Sequence, residues 1–110
     1  MMTLRHKKGI TYDIFVKMAL AIPGVGESTS YGTCALKVKG KLMARLKEDG
    51  QSVVLRTSWE AREQRLALYP EVFYLTGHYR SHPWILMRLN TASSSLAKPA
   101  IIHAWQQCAS

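Results

Sequence analysis

Acidic residues are scarce in this chain. Seven Asp and Glu stand against fifteen Lys and Arg, a formal net charge of +8 and a pI near 9.8. Glu48-Asp49 is the only adjacent acidic pair. Hard cations want several carboxylates, so that poverty argues against a calcium, magnesium or iron cage. Cysteine is nearly missing as well. Cys34 and Cys108 lie far apart and show no CxxC or zinc spacing, so two reduced thiols and no metal are expected. No apolar run approaches the ~18 residues that span a bilayer. The charged start MMTLRHKKGI is followed by no apolar stretch of the signal-peptide kind. Those absences together predict a cytoplasmic protein (nuclear in a host with a nucleus) without a membrane partner. There is no internal repeat and no linker, and the only biased stretch is the serine run at 93–95.

What is present suits one ordinary domain. The chain has 110 residues, of which 47% are apolar, enough to bury a core without staples. Residues 1–10 read as a flexible basic lead-in and 11–110 as a single domain. The positive surplus favours polyanionic partners, nucleic acid ahead of an anionic surface. The bland alternative is a protein that is merely basic.

The stretch CALKVKGKLMARLK, Cys34 to Lys47, carries five basic residues and no acid. Cys34, Leu36 and Val38 alternate with the rest, as do Leu42, Ala44 and Leu46, which is the period of a β-strand. Gly40 supplies the positive φ of a tight turn at Lys39-Gly40. The pattern predicts a hairpin with one apolar face, Cys34 buried beside Leu36, and one face of Lys37, Lys39, Lys41, Arg45 and Lys47.

Around it, Thr11 and Asp13 suit the start of a helix whose face is Phe15, Met18, Ala19 and Ile22, ended by Pro23-Gly24. Val25 to Gly32, rich in Gly, Ser and Thr, reads as a loop. After the turn Glu48-Asp49-Gly50, Ser52 to Thr57 reads as a strand with Val53 and Leu55 on one face and Val54 and Arg56 on the other. Thr57-Ser58-Trp59-Glu60 has capping-box spacing and predicts a second helix up to Pro70. Phe73–Thr76 and Trp84–Asn90 read as strands. The serines at 93–95 cap a last helix, with Pro99 expected in its first turn and Ile101, Ala104, Trp105 and Cys108 on one face. Trp59 and Trp105 fall on apolar helix faces and are expected in the core. The order is helix, three strands, helix, two strands, helix. Short connections favour antiparallel neighbours, giving an α+β two-layer sandwich, an antiparallel sheet with helices on one face.

The runs AIPGVGESTSYG, KVKGKLMARL and LYPEVFYLTGHYRSHPWILMRL, with AW in the tail, are similar in order and spacing to the MmcQ/YjbR family of small bacterial proteins. The resemblance covers Thr11 to Ala109. Positions matching the family pattern are Pro23-Gly24, Tyr31-Gly32, Gly40-Lys41, Pro70, His78-Tyr79 and Pro83. Pro99 departs from it. The resemblance implies a CyaY-like fold and the DNA-binding role proposed for the family, through a double wing of β-hairpins. It implies no catalytic residue and no cofactor. Frataxin-type proteins share the fold and hold iron on acidic clusters, which this chain lacks.

Two groups of candidate site residues follow. Lys37, Lys39, Lys41, Arg45 and Lys47, joined by Arg56 and Arg88 if the pleats are in phase, would neutralise phosphates with little sequence preference. The bland alternative is a solvated face guarding a sheet edge. His78, Tyr79, Arg80 and His82 share one loop and are candidates for contacting an anion; the alternative is a structural turn. The chain is read as a non-enzymatic DNA-binding module. An acidic protein partner is the second reading, and an enzyme or small-anion binder at the histidine loop the third.

Overall fold

The computed structural model describes residues 9–109. Its elements are α1 (Tyr12–Leu20), β1 (Val25–Ser30), β2 (Thr33–Val38), β3 (Lys41–Leu46), β4 (Ser52–Arg56), α2 (Trp59–Leu68), β5 (Phe73–Tyr74), β6 (Trp84–Arg88) and α3 (Ser94–Ala109), with a 3-10 turn over Gly77–Tyr79 between the last two strands. The six strands form one antiparallel sheet in the order β1-β2-β3-β4-β6-β5. This is the expected α+β arrangement with one strand more.

The added strand is β1, which corrects the reading of residues 25–32 as a loop. Its sequence, VGESTS, has no strong strand formers beyond Val25. Pairing with β2 from Val25↔Val38 to Ser30↔Thr33 imposes the extended backbone. Tyr31 and Gly32 close that hairpin with φ of 53° and 78°, and Lys39 and Gly40 close the next with the same pair of values. Two consecutive positive φ angles mark the hairpin turn whose twist matches its strands. β5 and β6 end earlier than expected, at Tyr74 and Arg88.

Helices α1 and α3 cover one face of the sheet. The Thr11 hydroxyl accepts the Ile14 N–H at 3.1 Å and starts α1, which sends Phe15 and Ala19 into the core. Ser93 caps α3 through the Leu96 N–H at 3.2 Å. From α3, Ala97, Ala100, Ile101, Ala104 and Cys108 meet Leu36, Val38, Val53, Leu55, Ile85 and Met87 of the sheet. The Trp105 indole N–H reaches the Pro23 carbonyl at 3.0 Å and ties α3 to the end of α1. Pro99 is the sixth residue of α3, past the expected first turn. Its ring removes one donor there, and both Pro99 and Ser95, four residues before it, are exposed. α2 lies toward β5, with Arg65 over the Phe73 ring at 6.0 Å and Leu66 packed against the core.

Two placements in the sequence reading are corrected by solvent exposure. Cys34 is on the Leu36 face but exposed, because it lies at the strand end away from the covered centre. Trp59 is exposed, its ring 4.7 Å from the Arg62 guanidinium rather than in the core. Of the expected lead-in, residues 1–8 lie outside the described residues. Gly9 and Ile10 are packed: Ile10 is buried, and its N–H donates to the Leu89 carbonyl at 2.8 Å. A Cβ at Gly9 would stand 2.4 Å from the Asn90 backbone, so only glycine allows that approach.

His103 on α3 joins the layers at the start of α2. Its Nε2 accepts the Ser58 N–H at 3.3 Å, which requires that nitrogen to be unprotonated. Burial, and then the charge of Arg65, hold the imidazole below its usual pKa. The unfolded chain therefore takes up this proton first as pH falls. The contribution is present above about 6.5, the ordinary value, and is lost as pH falls through the lower folded value. The drop in urea midpoint between neutral and mildly acidic buffer should be larger in the native chain than in His103→Gln. Equal drops would refute it.

Candidate functional site on the open sheet face

Directly opposed residues of antiparallel strands share a face, so the register sorts the sheet into two sides. Leu36, Ala44, Leu55, Ile85 and Phe73 belong to the helix side. Lys37, Leu42, Arg45, Val54, Arg56, Trp84, Leu86, Arg88 and Tyr74 belong to the other, open side.

A bulge decides which cations reach that side. Leu36 pairs with Ala44 but Lys37 pairs with Leu42, so Met43 is an extra residue in β3. Met43 and Ala44 both turn into the core, 0% and 1% exposed. Strict alternation therefore fails before the bulge. Leu42, expected inward, is on the open face, and Lys41, expected beside Lys37, pairs with Val38 on the helix side. Lys39 leaves the face too: its Nζ donates to the Ala109 carbonyl at 3.0 Å, capping the negative end of α3. Three apolar residues in a row, Leu42-Met43-Ala44, were the signal in the sequence.

The remaining cations are fixed rather than loose. Arg45 is 6% exposed, against the expected solvated outward position. Its guanidinium donates to Thr33 Oγ1 and the Leu46 carbonyl at 3.4 Å, to Glu48 at 3.3 Å, and to the Tyr79 hydroxyl. It lies 5.4 Å from the Tyr31 ring and 6.0 Å from the Tyr79 ring. Arg56 stands 4.6 Å over Trp84, and Arg88 4.2 Å over Tyr74. Every arginine that the strands send to this side thus rests on an aromatic ring. Lys47 pairs with exposed Asp49 at 3.6 Å, a contact worth little in water. The Glu48 carboxyl is held below its usual range, first by its own backbone N–H and then by Arg45.

The histidine loop folds over this face. Arg62 of α2, 6% exposed, donates to the carbonyls of Tyr79, Arg80 and His82 at 3.4, 3.1 and 2.9 Å. Tyr79 then reaches Arg45, with His78 edge-on to its ring at 4.7 Å. The result is a pair of adjoining depressions of about 530 and 330 Å³. Tyr31, Arg45, His78 and Tyr79 line both. Lys47, Glu48 and Thr76 complete the larger, and Leu42, Val54, His82 and Trp84 the smaller. Arg80 is exposed, and its side chain is not among these linings. The two sequence-derived groups therefore meet through Arg45, Lys47, His78, Tyr79 and His82. Among the described residues no cluster of His, Cys, Asp and Glu is placed to hold a metal ion.

The family model YjbR matches residues 20–107. The chain belongs to the YjbR family. The crystal structure of the Deinococcus radiodurans protein DR2400, with family domain DUF419, has a TM-score of 0.74 to it at 18% identity. The likeness covers 94% of this chain and 81% of that one. At that identity it shows a common fold. No curated protein matches. In this YjbR chain, sequence reasoning missed Arg62 and Tyr31. Arg62 sits on a helix whose charge pattern hides one buried member. Tyr31 carried a faint signal, an aromatic directly before glycine between two alternating runs. No helix among the described residues is long and apolar enough to cross a membrane.

Proposed function

We propose that the protein binds DNA through its open sheet face, by contacts to the phosphate backbone. One observation carries this reading. Lys37, Arg45, Arg56 and Arg88 lie on a face to which the described strands send no Asp or Glu. Asp13 lies on α1, Glu60 and Glu63 on α2, Glu27 on the helix side of β1 and Glu71 outside the strands, while Glu48 and Asp49, also outside the strands, pair with Arg45 and Lys47 at the edge of the face. Arg56 and Arg88, half-buried and braced on Trp84 and Tyr74, meet a phosphate without the entropy cost of ordering a loose chain, whereas buried Arg45 is held by Glu48 and Tyr79 and shapes the face. The two hairpin tips project from opposite ends of β2, roughly 20 Å apart by strand rise, so they bracket the face as two wings. Lys39 and Lys41 belong to the far tip and the helix side, and are secondary here. The proposed activity is binding, and neither a cofactor nor a catalytic step enters it.

Titration of labelled duplex DNA at several salt concentrations tests it. Three or four phosphate contacts predict a slope of log affinity on log salt of about −3. Lys37→Glu with Arg88→Glu should weaken binding about tenfold or more, and Lys39→Glu with Lys41→Glu much less. Undetectable or salt-indifferent binding sinks the proposal. Equal losses from the two double variants would show that the face is wrong.

A further inference from the structure

Tyr31 is, at 84%, the most exposed of the large hydrophobic side chains among the described residues, and it sits at a φ of 53° where glycine, asparagine or aspartate is favoured. An aromatic ring held in that backbone region, at the mouth of a depression, points to a ligand. One side of the ring faces the Arg45 guanidinium, which is braced against Tyr79, and Arg62 fixes the backbone on which Tyr79 sits. The wall is therefore built before any ligand arrives, which lowers the cost of binding. Leu42 and Val54 give the smaller depression an apolar lining, and Lys47 lines the larger. The volumes of about 530 and 330 Å³ fall in the range of small-molecule sites. Glu48 also lines the larger depression, and its carboxyl is held in the charged form. Arg45 and Lys47 line it too and balance that charge, while the smaller depression, lined by Leu42, Val54, Tyr79 and Trp84, suits a flat ring.

We propose that the depression beside Tyr31 takes one unpaired nucleobase, stacked on that ring, while Lys47 meets a flanking phosphate. This rests on the DNA-binding reading and adds a preference for single-stranded or locally opened DNA, because a base inside a paired stack cannot enter a depression. Base–aromatic stacking is tolerant of sequence, so little base preference is expected.

Anisotropy titrations at low salt would compare a labelled single strand, its duplex, and the same strand carrying abasic sites. The single strand should bind about tenfold or more tightly than the duplex. Tyr31→Asn, compatible with the turn, should lose about 5- to 150-fold on the base-bearing strand and nothing on the abasic one, and Tyr31→Phe should keep the affinity. Duplex binding as tight as the single strand, or an equal loss on both strands, overturns the base site while leaving backbone binding intact. No binding of any DNA overturns the backbone reading and this one with it.

Discussion

Replacing Arg62 with alanine should cost about 2–4 kcal/mol of stability, although no strand or core contact depends on it. The guanidinium satisfies three carbonyls of one loop, those of Tyr79, Arg80 and His82, while itself 6% exposed. The carbonyls of Tyr79 and His82 keep the N–H groups of His82 and Trp84 at 3.2 and 2.7 Å, so the loss is one of hydrogen bonds from a charged donor, about 1.5–3 kcal/mol each, and loop relaxation recovers part of that sum. For a domain of this size the melting temperature should fall by roughly 10–20 °C. Amide exchange over residues 79–82 should accelerate by more than it does in β4. Lysine at 62 should restore little, since an ammonium on a flexible stem cannot reproduce a planar fork. The change would also release the Tyr79 hydroxyl from Arg45, so the depression would lose a wall at a distance from the substitution. A melting temperature unchanged within error, with loop exchange as in the native chain, would refute this role.

Deleting Met43 should cost about as much as truncating it and should turn no other residue of β3 to the opposite face. Met43→Ala removes a side chain that is 0% exposed, at an expected cost of about 2–5 kcal/mol. The deletion removes the bulge as well. The ladder then becomes regular with the same partners, Leu36 opposite Ala44 and Lys37 opposite Leu42, so Leu42 stays on the open face and Lys41 on the helix side. What is lost is the buried Met43 side chain and the local bend of β3, again about 2–5 kcal/mol. Urea denaturation followed by circular dichroism distinguishes the cases. A deletion variant that is unfolded while Met43→Ala folds would refute this and show that the core needs the extra backbone residue itself.

Both expectations concern side chains whose partners come from distant parts of the chain, and that is where reading the sequence stopped. The hairpin turn at Lys39-Gly40, the cap at Thr11, the serine cap of α3 and the helical faces of Phe15–Ala19 and Ile101–Cys108 were legible. Each is a local preference, of φ, of hydrogen bonding or of period, expressed within a few residues. β1 was not legible, because a strand of Gly, Ser, Thr and Glu exists only once β2 is beside it. Half of the candidate site was visible as basic and histidine-bearing stretches, but not their meeting at Arg45.

The sequence by itself determined the class of fold, the hairpin at its centre and the excess of positive charge, because period, turn chemistry and net charge are carried by neighbouring residues. Tertiary structure decided the sidedness. The bulge that takes up Met43 left Lys41 on the helix side, the end of α3 took Lys39, and Arg62 folded the histidine loop onto the remaining cations. Those outcomes depend on strand register and on contacts across the fold, which no local pattern encodes.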